Sequence, residues 1–257
     1  MSDELADAQA WYDRAQHHIA EYRSLAYGEN DRTWQLRRDR ADDGRHIYSL
    51  HFNRGLFPQL KPIACEAANA MFQSLDNIIA TAARQAGVPR SPQIAWPWAL
   101  QPDTDSNLAG AVKPAIDSRL QDMRKRGMPE AWLDLVAATV AEHAAGLVHI
   151  DVVKEVSLSG KHWELVPTKA NAVAIGWHLP GNAAQSFADI PADHFETEDV
   201  FVFHEGDPIE VSQFQIVSGT KLIAPGKAHQ PEPISAFGYT SRFVETALAN
   251  ARVLLAT

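Results

Sequence analysis

The sequence predicts an α+β protein in which long N-terminal helices, interrupted by a β-hairpin, precede a C-terminal antiparallel strand-rich region closed by a helix. Two patterns carry that expectation. Small or apolar residues recur in steps of three and four near both ends of the chain, the period of a one-sided helix. Between them lie short runs rich in β-branched and aromatic residues, punctuated by glycine and proline, which is how strands and turns read. A length of 257 residues suits two intimate domains or one elaborated domain. The expected division is a mainly helical region 1–146 with an inserted hairpin at about 33–52, followed by 147–257; one integrated domain is the alternative.

Leu5, Ala8, Tyr12, Ala15, Ile19, Tyr22 and Ala26 mark one face of a first helix, with Ser2 as N-cap and Asp3 and Glu4 favourable at its positive end. The near-heptad spacing suits a second subunit as well as the chain's own core. Two strand-like runs, Thr33 to Arg37 and His46 to Phe52, flank Asp42-Asp43-Gly44, which predicts the hairpin. Pro58 or Pro62 opens a second helix that runs to about Ala86 and stops at Gly87, with Ile63, Ala67, Ala70, Ser74 or Leu75, Ile78 and Ala82 inward. Four prolines between Val88 and Asn107 predict an irregular segment whose Trp96 and Trp98 pack onto helices.

Helical character returns over Lys113 to Arg126, breaks at Gly127, and resumes at Pro129 with Trp132, Leu133, Val136 and Val140 on one face, ending near Gly146. Beyond that point the expected strands are Trp163 to Val166, Asn171 to Trp177, Val200 to His204, Ile209 to Val217 and Lys221 to Ile223, with Glu205-Gly206-Asp207 as a turn. A last helix from about Ser241 carries the stripe Val244, Ala247, Leu248, Ala251, Leu254 and Leu255.

Composition narrows the function classes. A hydrophobic fraction of 46% with 21% charged residues gives enough apolar surface to fold. The net charge of −9 opposes phosphate-rich partners, and the one basic cluster, Arg32, Arg37, Arg38, Arg40 and Arg45, is diluted by Asp31, Asp39, Asp42 and Asp43. Nucleic acid is therefore disfavoured as a partner. Cys65 is the only cysteine, which excludes an internal disulfide and points to a reducing, cytoplasmic setting. The acidic start is unlike a signal peptide, and no stretch reaches the roughly 18 to 20 apolar residues of a membrane span.

Signatures of specific chemistry are missing. HExxH, paired CxxC, a calcium loop, GxSxG, GxGxxG and GxxxxGK[ST] are all absent, so neither a metal nor a cofactor is expected. The polar candidates are His149, Asp151, Lys161 and His162. On a strand, the pairs His149-Ile150-Asp151 and His162-Trp163-Glu164 would each share a face. Ser159-Gly160-Lys161-His162 reads as a turn whose lysine and histidine suit anion binding or proton shuttling. Cys65 reads as a small buried hydrophobe, and the acidic residues Asp193, Glu196, Glu198 and Asp199 around His194 as a solvated loop.

Asn69-Ala70-Met71-Phe72-Gln73-Ser74-Leu75-Asp76-Asn77 and Gly160-Lys161-His162-Trp163 give the chain a resemblance to an uncharacterised bacterial family. That family has a helix motif of the form HNLRSALDHL and a later DKHR-like segment. Through the arginine and histidine of its helix the family is similar to HEPN ribonucleases. Those two positions are Phe72 and Asn77 here, so the resemblance implies a helix that has lost both the cation and the acid or base for RNA cleavage.

The expected function is that of a binding or interaction protein without a recognisable catalytic motif. It is expected to be a homo-oligomer that associates through Leu5, Tyr12, Ile19 and Tyr22. The alternative is a small-molecule enzyme or ligand-binding protein with an aromatic pocket between the halves, lined by Trp96, Trp98, Trp163 and Trp177 and furnished by His149, Asp151, Lys161 and His162. A degenerate HEPN-like factor is the third class.

Overall fold

The computed structural model describes residues 4–27, 34–52, 54–91, 94–98, 108–162, 168–178, 185–188, 200–204, 214–222, 224, 227 and 229–256. The chain is α+β, with six α-helices and an antiparallel β-hairpin among the described residues. It forms two compact units, each discontinuous in sequence. The first comprises Met1–Tyr22, Lys61–Pro167 and Leu222–Thr257, and the second comprises Arg23–Leu60 and Thr168–Lys221. The units therefore do not divide at residue 146, because the chain leaves the first unit for the second and returns to it twice.

Helix α1 (Ala6–Tyr27), which belongs to the first unit as far as Tyr22, carries the expected seam, and that seam is consumed inside the chain. Leu5, Ala8, Tyr12, Ala15, Ile19 and Tyr22 are all buried. The Ser74 hydroxyl on α2 (Phe57–Gln85) donates to the Ala8 carbonyl at 2.7 Å. Tyr12 Oη donates to Glu245 Oε1 at 2.5 Å, and the Tyr22 ring meets Phe237 edge-on at 5.9 Å, both partners on α6 (Pro233–Leu255). The association surface expected from Leu5, Tyr12, Ile19 and Tyr22 is thus corrected to an intramolecular contact, since these side chains have no free face left to offer a second subunit.

Helix α2 places Pro58 in its first turn, where no backbone N–H is required, and ends in a Schellman motif. Gly87 takes φ +67, its N–H bonds Arg84 O at 3.2 Å, and Val88 N–H bonds Ala83 O at 2.9 Å. Cys65 is buried on this helix, as expected. Helix α3 (Leu108–Lys125) starts earlier than Lys113 and ends in the same way at Gly127. Helix α4 (Glu130–Glu142) buries Trp132, Leu133, Val136 and Val140 as expected.

A single 3-10 turn at Ala144–Gly146 leads into helix α5 (Leu147–His162), where a strand-rich region was expected to begin. Leu147, Ile150, Val153, Val156 and Ser157 recur at helical spacing and are buried, so packing overrides the β preference of the β-branched run. Ser159, Gly160, Lys161 and His162 belong to the end of this helix and not to a turn. No single helix among the described residues is long and apolar enough to cross a membrane; α4 and the first part of α5 pass that test only together, across a 65° bend. Helix α6 begins eight residues before Ser241, where Glu232 accepts from Ile234 N at 2.9 Å and Ser235 N at 2.6 Å and Pro233 opens the first turn.

The second unit holds two three-stranded sheets. Strands β1 (Trp34–Arg40) and β2 (His46–Phe52) pair from Trp34 with Phe52 to Arg40 with His46, and β2 pairs antiparallel with β5 (Val200–His204). Gly44, at φ +89, lets the hairpin turn close, with its N–H on Ala41 O at 2.9 Å. In the other sheet β3 (Thr168–His178) lies between β4 (Gln185–Ala188) and β6 (Phe214–Leu222). Strand β6 runs continuously through the gap expected between Val217 and Lys221. The expected strand at Trp163 to Val166, the turn at Glu205 to Asp207 and the acidic loop at Asp193 to Asp199 lie outside the described residues.

Candidate functional site

The site is built where the first turns of α5 meet α6 and the segment leading into it. Leu222 N–H bonds Pro231 O at 2.9 Å, and Lys227 and His229 lie between these two residues in the loop sequence. Helix α6 then presents Tyr239 and Arg242, three residues apart and so on one face. Gly146 is required where α4 turns into α5, because a Cβ there would stand 2.7 Å from Cδ1 of Tyr239.

Two contacts tie the loop to α5. His149 Nδ1 lies 3.3 Å from His229 Nε2, with the rings 77° apart. Lys227 Nζ forms an ion pair with Asp151 Oδ2, and both side chains are nearly buried. The His149 ring stacks on Tyr239, parallel to within 4° at 4.5 Å, and the Arg242 guanidinium carbon lies 4.8 Å from the centre of the same Tyr239 ring. His149 and Asp151 lie two residues apart on a helix rather than on the expected strand, so they do not share a face, and each meets a different residue of the 227–229 stretch.

Burial pushes the His149 imidazole below its ordinary pKa, and the neighbouring His229 adds to the shift, so His149 is neutral near pH 7. Among the described residues His149 Nε2 has no hydrogen-bond partner, and it is not one of the fully buried unpartnered atoms. Lys154, one turn beyond Ile150, is lowered by burial against the pull of Asp151 and Glu155, with Lys227 and Arg119 lowering it further. The charges that act on Lys154 are thus Asp151 and Glu155 against Lys227 and Arg119.

Lys161 and His162 do not join this cluster. They follow His149 by twelve or more residues on the same helix, about 18 Å along its axis. Trp96 and Trp98 are buried in the first unit, each edge-on to Phe243 at 5.6 Å, and Phe72 meets Trp98 at 6.2 Å. Neither indole N–H has a partner. Trp177 is on β3 in the second unit, and Trp163 lies outside the described residues. Asn77, the second position of the ribonuclease resemblance, donates to the Gln73 carbonyl at 2.8 Å.

Sequence reasoning missed Lys154, Lys227, His229, Tyr239 and Arg242. Their only local sign is Lys227-Ala228-His229, a basic residue and an imidazole two apart ahead of the Glu232-Pro233 helix start. Among the described residues no three His, Cys, Asp or Glu side chains gather as a metal site. Set against known proteins, the chain matches no family model, no curated protein and no solved structure.

Proposed function

We propose that this chain is a small-molecule-binding protein whose site is the α5–α6 cluster, with His149 as a general base. The observation that supports this most is a neutral imidazole, bonded through one nitrogen to a second imidazole and without a partner at the other among the described residues. In the tautomer that carries its proton on Nδ1, His149 donates to His229 Nε2 and its own Nε2 is left with a lone pair. A ligand bound there gives up a proton to Nε2, and its X–H electron pair stays behind as an anion. The substrate class is therefore a weakly acidic small organic molecule. The strands described at 168–178, 185–188, 200–204 and 214–222 support the expected strand-rich region ahead of the C-terminal helix.

A generic ester tests the base. Protein-dependent hydrolysis of p-nitrophenyl acetate should fall at least about tenfold in His149→Ala, within the usual range for loss of a general base. Its pH profile should inflect below the ordinary imidazole value. Hydrolysis that is absent, or unchanged in the variant, removes the catalytic role. The second reading, a binding or interaction protein that performs no chemistry, is favoured by the missing nucleophile, metal and phosphate-loop signatures. Native mass spectrometry tests it, because a retained partner or a homo-oligomer, combined with an inert His149, is what that reading requires.

A further inference from the structure

We propose that a second ligand site, for a small organic anion, lies in the open cleft of about 740 Å³ between the C-terminal half of α2 and the segment that follows it. It shares no residue with the His149 cluster, and its volume falls in the range that holds a metabolite-sized molecule. Ala80, Ala83, Val88 and Ile94 give its lining an apolar part. The polar part carries the groups that choose the ligand.

Asp76, the one acid in the lining, is already engaged, since its Oδ1 accepts the Trp96 backbone N–H at 2.9 Å and so holds the segment in place. Asn77 gives its amide hydrogen to the Gln73 carbonyl at 2.8 Å, which leaves its oxygen facing no partner among the described residues. Arg84 spends one Nη2 donor on Thr81 Oγ1 at 2.9 Å, which aims the guanidinium while leaving most of its five N–H groups unused. Arg90 has no ion pair or hydrogen bond among the described residues. Two planar cations against one committed carboxylate, on a chain of net charge −9, form a local positive site. A guanidinium fork matches a carboxylate or a phosphate ester in paired hydrogen bonds, and the apolar part takes a ring or short alkyl body. Both ligand chemistries share this recognition, and a matched pair of probes separates them.

The test is calorimetric titration of the full chain, at low ionic strength, with phenyl phosphate, benzoate and neutral benzyl alcohol, which share a ring and differ in charge. At least one anion should bind and the alcohol should not; the tighter anion names the source as phosphate or carboxylate. Arg90→Gln and Arg84→Gln should each weaken that binding roughly tenfold or more, the usual loss for a charge-assisted pair. Arg90 is exposed, so its variant should melt with the wild type, and His149→Ala should bind the anion as tightly as the parent. Failure of both anions to bind at millimolar concentration, equal binding of the alcohol, or an affinity untouched by both arginine changes would overturn the site. Loss of anion binding in His149→Ala with none in the arginine variants would overturn it too and place the anion in the α5–α6 cluster.

Discussion

Tyr239 and Phe243 stand one turn apart on α6, yet they organise opposite kinds of chemistry. Around Phe243 the environment is dry: Trp96, Trp98 and His143 all meet its ring edge-on, and two indole N–H groups sit buried without a partner. Around Tyr239 it is polar and partly wet, with an imidazole on the ring, a guanidinium above it and an ion pair beside it. A single helix can therefore supply the packing that fixes its own position and, four residues away, the groups that handle protons. The dry end tolerates unsatisfied donors because aromatic burial outweighs them; the polar end depends on every charge having an answer.

That contrast can be broken by substitution. Phe243→Ala should cost the most, about 3 to 5 kcal/mol, because it removes the ring that both tryptophans lean on; a chemical denaturation midpoint close to wild type would show that the dry end is not a hub. Next comes Asp151→Asn, which strands the nearly buried Lys227 ammonium and should cost roughly 3 kcal/mol by the same measurement. Asp151→Asn combined with Lys227→Met should recover most of that loss; if the double variant is no better than the single, the ion pair is not the reason. Gly146→Ala should cost about 1 to 3 kcal/mol through overpacking. It should also displace Tyr239, so that the ring-current shift on the His149 protons shrinks; an unchanged histidine spectrum would mean the stack does not depend on that close approach.

The smallest effect is a pH dependence shared by the two ends. His149 and His143 both have pKa values lowered by burial in the folded chain, so the unfolded chain binds more protons over the interval below about 6.5. Stability that is present above that value should be lost as pH falls through the folded-state values. Thermal melts at pH 7.5 and pH 5 should differ in that direction, and a His143→Gln, His149→Gln double variant should flatten the slope. A slope that survives both changes belongs to other groups.

Much of the fold was legible because its signals are local. The three-and-four stripe of α1, the Asp-Asp-Gly turn, and the glycines at 87 and 127 each act within a few residues. Helix α5 was not legible, since Leu147-Val148-His149-Ile150-Asp151-Val152-Val153 alternates like a strand and is β-branched like one; only burial of Ile150, Val153 and Val156 against the rest of the unit makes it helical. The start of α6 was legible in principle through Glu232-Pro233, but Gly238 hides the continuity of the helix. Of the site, His149 and Asp151 were visible as residue types. Their partners lie about 75 to 90 positions further along and meet them only through tertiary structure, which no spacing rule encodes.

The contact between Tyr12 and Glu245 has a consequence for the spectroscopist. Burial first, and then the hydrogen bond to the carboxylate, hold this phenol protonated far above the ordinary tyrosine range. In an alkaline absorbance titration Tyr12 should stay dark while the fold lasts. Its phenolate band would then appear only as α1 parts from α6, which makes one of the five tyrosines a built-in optical report on that helix pair.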